Sequence, residues 1–530
     1  MSSSKPGGKQ PFWAAAIQDR RRPSRPAPAE ERSPRRPRRS ASATPPPGAG
    51  AGDAPEGAPS ELPASTLYTP ARPAPGRPVR RTFRAGVETT RPAGTGEGVP
   101  AAVRPPVRPG ASGRPGAPVK PADPAVVAQA RERRESKRTP ASWAARIVAR
   151  SSAEVPADRE LRATLKSIDL LKPDDARWIS RAVFSYFRWH EWLDQGRALE
   201  KRLDQAMGFA DTYSRHPHAV KDEALRMGAV PEWIGTVMDV PIGWLRALQR
   251  EPRLWLRGRP GTAPRLSLTL GGTPDAIPGV LPDSLEYKGS RDLFRTGAFH
   301  RGEFEIQDVA SQAVGHCCAP GSSGAPEKWW DVCAGEGGKT LHLSDLLAGK
   351  GEVLATDRAK WRLDRLQQRS SRAKSQGIRW SLWDEGRPVP AAGGFDGVLL
   401  DAPCSGVGTW GRNPHARWTT TPKDVEELAE CQKRLLESAC KGVKPGGKLI
   451  YAVCTLTRPE TTEVVAAFSA KHPEFEPCVI PHPFDPAAAP SAERMFWPQD
   501  TGGNGMFVAG WRRKEISASK PQAPTPAVAS

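Results

Sequence analysis

From about residue 307 onward, apolar runs alternate with helix-patterned stretches, and that alternation restricts the possible folds more than any other property of the chain. The runs are Trp329 to Cys333, Glu352 to Asp357, Ile378 to Asp384, Phe395 to Asp401 and Lys448 to Cys454. Helical patterns fill the gaps, among them Arg362 to Ala373 and Pro422 to Gly442, the latter with proline at its start and glycine at its end. Strands separated by helices pair in parallel through crossovers, so the spacing predicts an α/β fold with a doubly wound, Rossmann-like sheet. Ligands of such sheets lie beyond the carboxyl ends of the strands, near the point where strand order reverses.

The first run leads into Asp331-Val332-Cys333-Ala334-Gly335-Glu336-Gly337-Gly338-Lys339-Thr340, a glycine-rich turn that opens a helix. Glycines there let the backbone approach a ligand closely, and an acid about 20 positions on can hold ribose hydroxyls. Asp357, ending the second run, stands 20 residues after Gly337, and Asp384, ending the third, can reach an adenine amino group. A phosphate-binding loop would need glycine where Cys333 stands, and Glu336 repels phosphate. S-adenosylmethionine, which has no phosphate, therefore fits this turn better than a dinucleotide.

Two cysteines follow strand-like runs: Cys404 in Asp401-Ala402-Pro403-Cys404-Ser405-Gly406, and Cys454 in Tyr451-Ala452-Val453-Cys454-Thr455. If the fourth and fifth runs lie next to the first, Asp401, Cys404 and Cys454 all project at the carboxyl edge beside the cofactor. The reaction that needs this set is methylation of carbon 5 of a pyrimidine. That carbon is too poor a nucleophile until a thiolate adds to carbon 6 and makes the ring an enamine. Asp401 can hydrogen-bond the ring nitrogen and exocyclic amine of cytosine and so assist the addition.

The rest of the chain is organised differently. Residues 1–140 hold 27 of the 57 prolines and 26 Lys+Arg against 11 Asp+Glu, which is +15 of the formal +20. With few large apolar residues and no periodicity, this stretch is expected to be a disordered basic tail. It either attracts RNA without sequence preference, through clusters at Arg32 to Arg39 and Arg131 to Arg138, or is a solvated extension. Residues 141–250 read as an all-helical domain: Ala144, Ile147 and Val148 share one face, as do Leu161, Leu165, Ile168, Leu170 and Leu171. Phe184, Tyr186, Phe187, Trp189 and Trp192 are expected in its core. Residues 251–303 read as a small α+β connecting module with short strands at Leu254 to Leu256 and Leu266 to Leu270, followed by the turn Gly271-Gly272-Thr273. Residues 515–530 are expected to form a second disordered tail.

Eight cysteines without any Cys-x-x-Cys pair suggest neither a disulfide framework nor a zinc site, so no metal is expected and most are core residues. Met1 to Gln10 lacks the apolar core of a secretory signal, and no run of about 18 apolar residues occurs. The expectation is a cytoplasmic protein with no membrane partner.

The segment from Phe304 to Arg513 resembles the RsmB/Sun family of RNA (cytosine-5) methyltransferases. The resemblance rests on Ile306-Gln307-Asp308-Val309-Ala310-Ser311, the Gly-Gly-Lys-Thr turn, Asp401 to Gly406, Tyr451 to Leu456, and the closing Gly505-Met506-Phe507-Val508-Ala509. It implies a methyltransferase domain over 304–514, with Cys454 as the nucleophile and Cys404 as the thiol that assists product release. It also implies S-adenosylmethionine contacts from Cys333, Ala334, Gly335, Glu336, Gly337, Gly338, Lys339, Asp357, Asp384 and Asp401, and it makes the helical block similar to a NusB-like RNA-binding domain. The implied substrate is RNA, ribosomal before transfer RNA. The alternative function is a non-catalytic RNA-binding or ribosome-assembly factor on the same scaffold.

Two departures stand out. The family turn usually reads Ala-Ala-Pro-Gly-Gly-Lys, whereas here Glu336 replaces the stiffening proline. After Cys454 the family commonly has an acidic Glu-Asn-Glu run, of which Glu460 is kept and is expected in the first turn of a helix. Trp410 to Trp418, with Arg412, His415 and Arg417, reads equally as a substrate-side loop with stacking and phosphate-binding groups or as a structural loop held by its tryptophans.

Overall fold

The computed structural model describes residues 139–168, 171–270, 273–274 and 281–515. The tails expected over 1–140 and 515–530 lie essentially outside those residues, as do Leu170, Gly271 and Gly272.

The first part is helical: α1 (Pro140–Arg150), α2 (Ala157–Ser167), α3 (Pro173–Arg188), α4 (Leu199–Arg215), α5 (Asp222–Gly228) and α6 (Ile242–Gln249). Each helix is short and depends on burying one stripe. In α3 the stripe is Ile179, Ala182, Val183, Tyr186 and Phe187, with Pro173 in the first turn, acids beside it and Arg188 at the far end, which suits the helix dipole. It packs with Trp143 and Ile147 of α1, Leu161 of α2 and Leu203, Ala206 and Tyr213 of α4. The aromatic run from Phe184 to Trp189 is thus core, and Trp192 packs against it partly buried.

A small antiparallel sheet follows, ordered β2-β3-β1-β4 from β1 (Leu254–Gly258), β2 (Thr273–Pro274), β3 (Ser284–Tyr287) and β4 (Phe304–Ile306). The expected strand at Leu266 to Leu270 is instead helix α7 (Ala263–Leu270). A strand would place Leu266, Leu268 and Leu270 on one face. The helix buries Leu266 and Leu270, four apart, and leaves Leu268 88% exposed, because the sheet offers only one apolar face to cover.

The large sheet holds β5 (Glu327–Asp331), β6 (Gly351–Asp357), β7 (Ile378–Leu382), β8 (Phe395–Asp401), β9 (Val443–Val453), β10 (Phe475–Pro477), β11 (Glu493–Phe496) and β12 (Met506–Arg513). The order is β10-β12-β9-β8-β5-β6-β7, with β11 against β12. The five expected strands are all present and pair in parallel, and β12 closes the edge antiparallel to β9. One expectation is corrected: β8 lies next to β5, but β9 lies one strand further out, beside β8, since β6 and β8 already fill both edges of β5.

Helices cover both faces, so successive residues of a strand serve opposite cores. Trp330, Leu400 and Tyr451 pack with Leu436 of α11 (Pro422–Ala439) and Phe468 of α12 (Thr462–Lys471). Between β4 and β8 the chain forms α8 (Val309–Cys318), α9 (Gly338–Leu347) and α10 (Lys360–Ala373). Trp329, Leu399 and Ile450 turn to the other side, against Ala313 of α8 and Leu343 of α9.

The loop from Trp410 to Trp418 is structural. Trp410, Arg412, His415 and Arg417 are buried, so they are out of reach of a base or phosphate, and the substrate-side reading of these side chains is set aside. Trp410 packs between Leu225, Trp244 and Leu456. Arg417 donates to the carbonyls of Ala229 (2.8 Å), Leu248 (3.2 Å) and Arg188 (3.5 Å), which sit at the carboxyl ends of α5, α6 and α3. One planar cation thereby satisfies carbonyls that three helix ends leave without partners. Burial pushes Arg417 down to about 9 and Arg188 down to about 10. Arg188 in turn donates to the Gly411 carbonyl, 3.1 Å away.

Arg417→Met should lower the unfolding free energy by about 2–3 kcal/mol, read from urea midpoints, because it leaves three buried carbonyls unpaired. An unchanged midpoint would remove this role.

Candidate active site

The register of the parallel strands sets the site. Asp401 pairs with Ala452, so the residues just past the ends of β8 and β9 come out side by side at the carboxyl edge. Cys404 and Cys454 are the third and second residues beyond that pair, and their sulfurs stand 3.3 Å apart.

A buried carboxylate holds the two loops together. Glu460 Oε1 accepts from the Ser405 N–H (2.8 Å) and from Gln432 Nε2 of α11 (3.0 Å). Its Oε2 accepts from the hydroxyls of Ser405, Thr455 (3.0 Å) and Thr457 (2.8 Å). Ser405 and Thr455 are the residues immediately after the two cysteines, so both thiols are positioned through one anion. Gln432 also donates to the Pro403 carbonyl at 3.0 Å, and the Tyr451 hydroxyl lies 2.7 Å from the Glu460 carbonyl. A fully buried carboxylate is tolerated when its lone pairs are satisfied in this way. Sequence reasoning placed Glu460 in the first turn of a helix. It does lie at a helix start, in the short 3₁₀ helix Arg458–Glu460 ahead of α12, but its side chain is buried. The usable signal was the hydroxyl residue following each cysteine, which nothing in the local pattern explained.

The glycine turn occupies the neighbouring strand end. Gly335 and Gly337 take left-handed φ values of +56° and +85°, and a Cβ on Gly337 would meet Leu366 Cγ at 2.6 Å. A Cβ on Gly335 would meet no atom within 4 Å, so this side of the turn is open to a ligand. Asp357 closes the turn: its Oδ2 accepts from the Gly335 N–H at 3.1 Å and its Oδ1 from Ala359 N–H at 2.8 Å. Ala334 is largely buried, and burial pushes the Cys333 thiol well above its usual range, so these two contribute an apolar wall. Gly338 begins α9.

Lys339 links turn and thiols. Its Nζ lies 2.6 Å from Asp401 Oδ2. Burial opposes the Lys339 charge, but Asp401 and, more weakly, Cys454 outweigh it and raise the ammonium above its ordinary value. The Cys404 thiol is also pushed well up, by its hydrogen bond with Cys454 and then by burial. Cys404 is therefore held protonated beside the Cys454 sulfur. Asp384 stands apart from this cluster, since its contacts are local, to the Gly386 N–H at 3.1 Å and to Arg387 at 3.3 Å. Among the described residues no group of three or more His, Cys, Asp or Glu could hold a metal, and no helix is long and apolar enough to cross a membrane.

Residues 316–512 match the family model for the 16S rRNA methyltransferase RsmB/F. A Bacillus subtilis (strain 168) protein named "Probable ribosomal RNA small subunit methyltransferase B" is 33% identical over 226 residues, 41% of this chain and 50% of that protein. The ribosomal RNA small subunit methyltransferase B of Sodalis glossinidius (strain morsitans) is 32% identical over 306 residues, 56% of this chain and 65% of the relative. The chain thus spans about half to two thirds of the length of the curated relatives it matches. The crystal structure of PH0851 superimposes with a TM-score of 0.59 at 24% identity, covering 71% of this chain and 99% of that one, and shares its fold.

Two outcomes test this geometry. Glu460→Ala should lower the unfolding free energy by about 3 kcal/mol, since it leaves several buried donors unpaired, while Glu463→Ala, exposed nearby, should change it by less than about 0.5 kcal/mol. Asp331, buried beneath the turn, has Oδ1 without a partner, and burial raises its carboxyl to about 7 despite the Thr340 hydroxyl bond. A folded value above the unfolded one, about 3.9, gives a stability contribution that is intact below that pH and lost as pH rises to about 7. Asp331→Asn should therefore gain stability over the parent between pH 4 and 7 and hold that gain above. A pH-independent difference in melting temperature would refute the buried acid.

Proposed function

We propose that this chain is a member of the RsmB/F family of rRNA methyltransferases and transfers a methyl group from S-adenosylmethionine to carbon 5 of a cytosine in RNA, ribosomal RNA first. The observation that carries this reading is the pair of sulfurs 3.3 Å apart, beside the Lys339–Asp401 ion pair at the carboxyl edge. Cys333, Ala334, Gly335, Glu336, Gly337, Gly338 and Lys339 would hold the cofactor, with Asp357, Asp384 and Asp401. The open side of Gly335 fits a ligand that approaches the backbone closely. When bound, the cofactor supplies an electrophilic methyl group.

The Cys454 sulfur adds to carbon 6 of the cytosine, forming the C–S bond and moving the ring electrons toward carbon 5. Asp401 has Oδ2 engaged by Lys339, which leaves Oδ1 to accept from the exocyclic amine and from the ring nitrogen as that nitrogen takes up a proton during the addition. After methylation the carbon 5 proton passes to solvent, the electrons of that C–H bond restore the C5–C6 double bond, the C–S bond breaks, and Cys454 departs as a thiolate. Cys404, protonated and within reach of that sulfur, assists the release. The helical block, read as NusB-like, would present the RNA, and its buried joint at Arg417 supports a fixed arrangement of block and site.

Cys404→Ala expressed in cells should remain covalently attached to RNA after denaturation, and sequencing the attached fragment names the target. Cys454→Ala should form no adduct and should lower methyl transfer by about a thousandfold or more. Absence of any adduct, together with unchanged 5-methylcytosine in the Cys454→Ala strain, would favour a non-catalytic RNA-binding role instead.

A further inference from the structure

The turn carries Glu336 where the resembling family usually has proline, and a flexible residue there leaves the loop freer before a ligand binds. One stripe of α10 packs against this region. Arg362, Arg365, Leu366 and Arg369 are spaced for a single helix face, and each meets the turn or its closing acid. Arg362 pairs with Asp357 at 3.4 Å, Arg365 Nε lies 3.9 Å from the Glu336 carboxylate, and Leu366 fills the space a side chain at Gly337 would need.

Arg369 makes the firmest contact. Its Nη1 donates to the Glu336 carbonyl at 2.9 Å, and its Nε and Nη2 donate to Glu305 Oε2 at 3.1 and 2.9 Å. Glu305 is buried in β4 and carries Arg372 on its other oxygen, so Arg369 is anchored to a strand of the small sheet while it grips the turn. Burial works against the Glu305 charge, and the arginines overcome it and keep the carboxyl below its ordinary value.

We propose that Arg369, anchored by Glu305, is a positioning residue that pre-organises the cofactor turn through the Glu336 carbonyl, replacing the stiffness that a proline would give. The guanidinium reaches both partners at once because its planar fork presents donors on two edges. The contact is made by backbone on the turn side, so it fixes the loop without consuming the Glu336 carboxylate. The inference rests on the reading of this turn as the S-adenosylmethionine site.

The test uses the full chain and S-adenosylmethionine, with binding followed by calorimetry and turnover on cellular RNA. Arg369→Met should weaken cofactor binding about tenfold, the loss of one charge-assisted hydrogen bond. The KM for RNA and the turnover rate at saturating cofactor should stay at parent values, a split that general destabilisation would not produce. Arg369→Lys keeps a cation beside Glu305, so it folds if Arg369→Met does not, and it should show the same split because one ammonium cannot span both partners. Adding Glu336→Pro to either variant should restore affinity. Parent-like cofactor affinity in both variants, or no recovery on adding proline, overturns the role of Arg369. Failure of the parent chain itself to bind S-adenosylmethionine overturns the reading of the turn instead.

Discussion

The carboxylate of Glu460 accepts five hydrogen bonds at a point where no solvent reaches it, and the reactive arrangement depends on that. Neither thiol-bearing loop is regular structure, so neither would hold its sulfur in one place unaided. A buried anion that is fully satisfied by donors from both loops and from α11 removes that freedom, because releasing any one donor strands a charge in a low-dielectric interior. The sulfur separation of 3.3 Å follows from this tie together with the strand register.

Charge is used in the same way elsewhere. Arg417 collects the carbonyls of three helix ends, Glu305 collects two arginines of α10, and Arg412 bridges Asp308 and the Asn504 side chain. Each is a long-range link between segments that local structure leaves unconnected. Such buried ions add little net stability over an apolar core, yet they punish misplacement heavily, since an unpaired partner is left behind. They suit a molecule whose function needs several loops in register at one sheet edge.

Much of the fold was legible because its signals are local. Both faces of the central strand β8 are buried, which makes Phe395 to Asp401 a largely apolar run, while the outer strand β7 is mostly exposed, and the flanking helix announces its ends with Pro422 and Gly442. The misread element, Leu266 to Leu270, is short and apolar, where period alone does not separate strand from helix. The loop at Trp410 to Trp418 was open to two readings for a related cause: arginine and tryptophan serve nucleic-acid contact and buried joints equally well, and only burial distinguishes them.

Residue type and order by themselves determined the alternating α/β architecture and the glycine turn, and singled out Cys404 and Cys454 as the two thiols to follow, since each comes from periodicity or from chemistry that few residues can perform. The tertiary structure decided how those pieces meet. Lys339 reaches Asp401 across 62 positions of sequence, Arg369 reaches Glu336 across 33, and Glu460 draws together loops that are 50 residues apart. Hydrogen-bond partners at such separations leave no periodic trace in a chain, because they are set by strand order and register, which are themselves long-range.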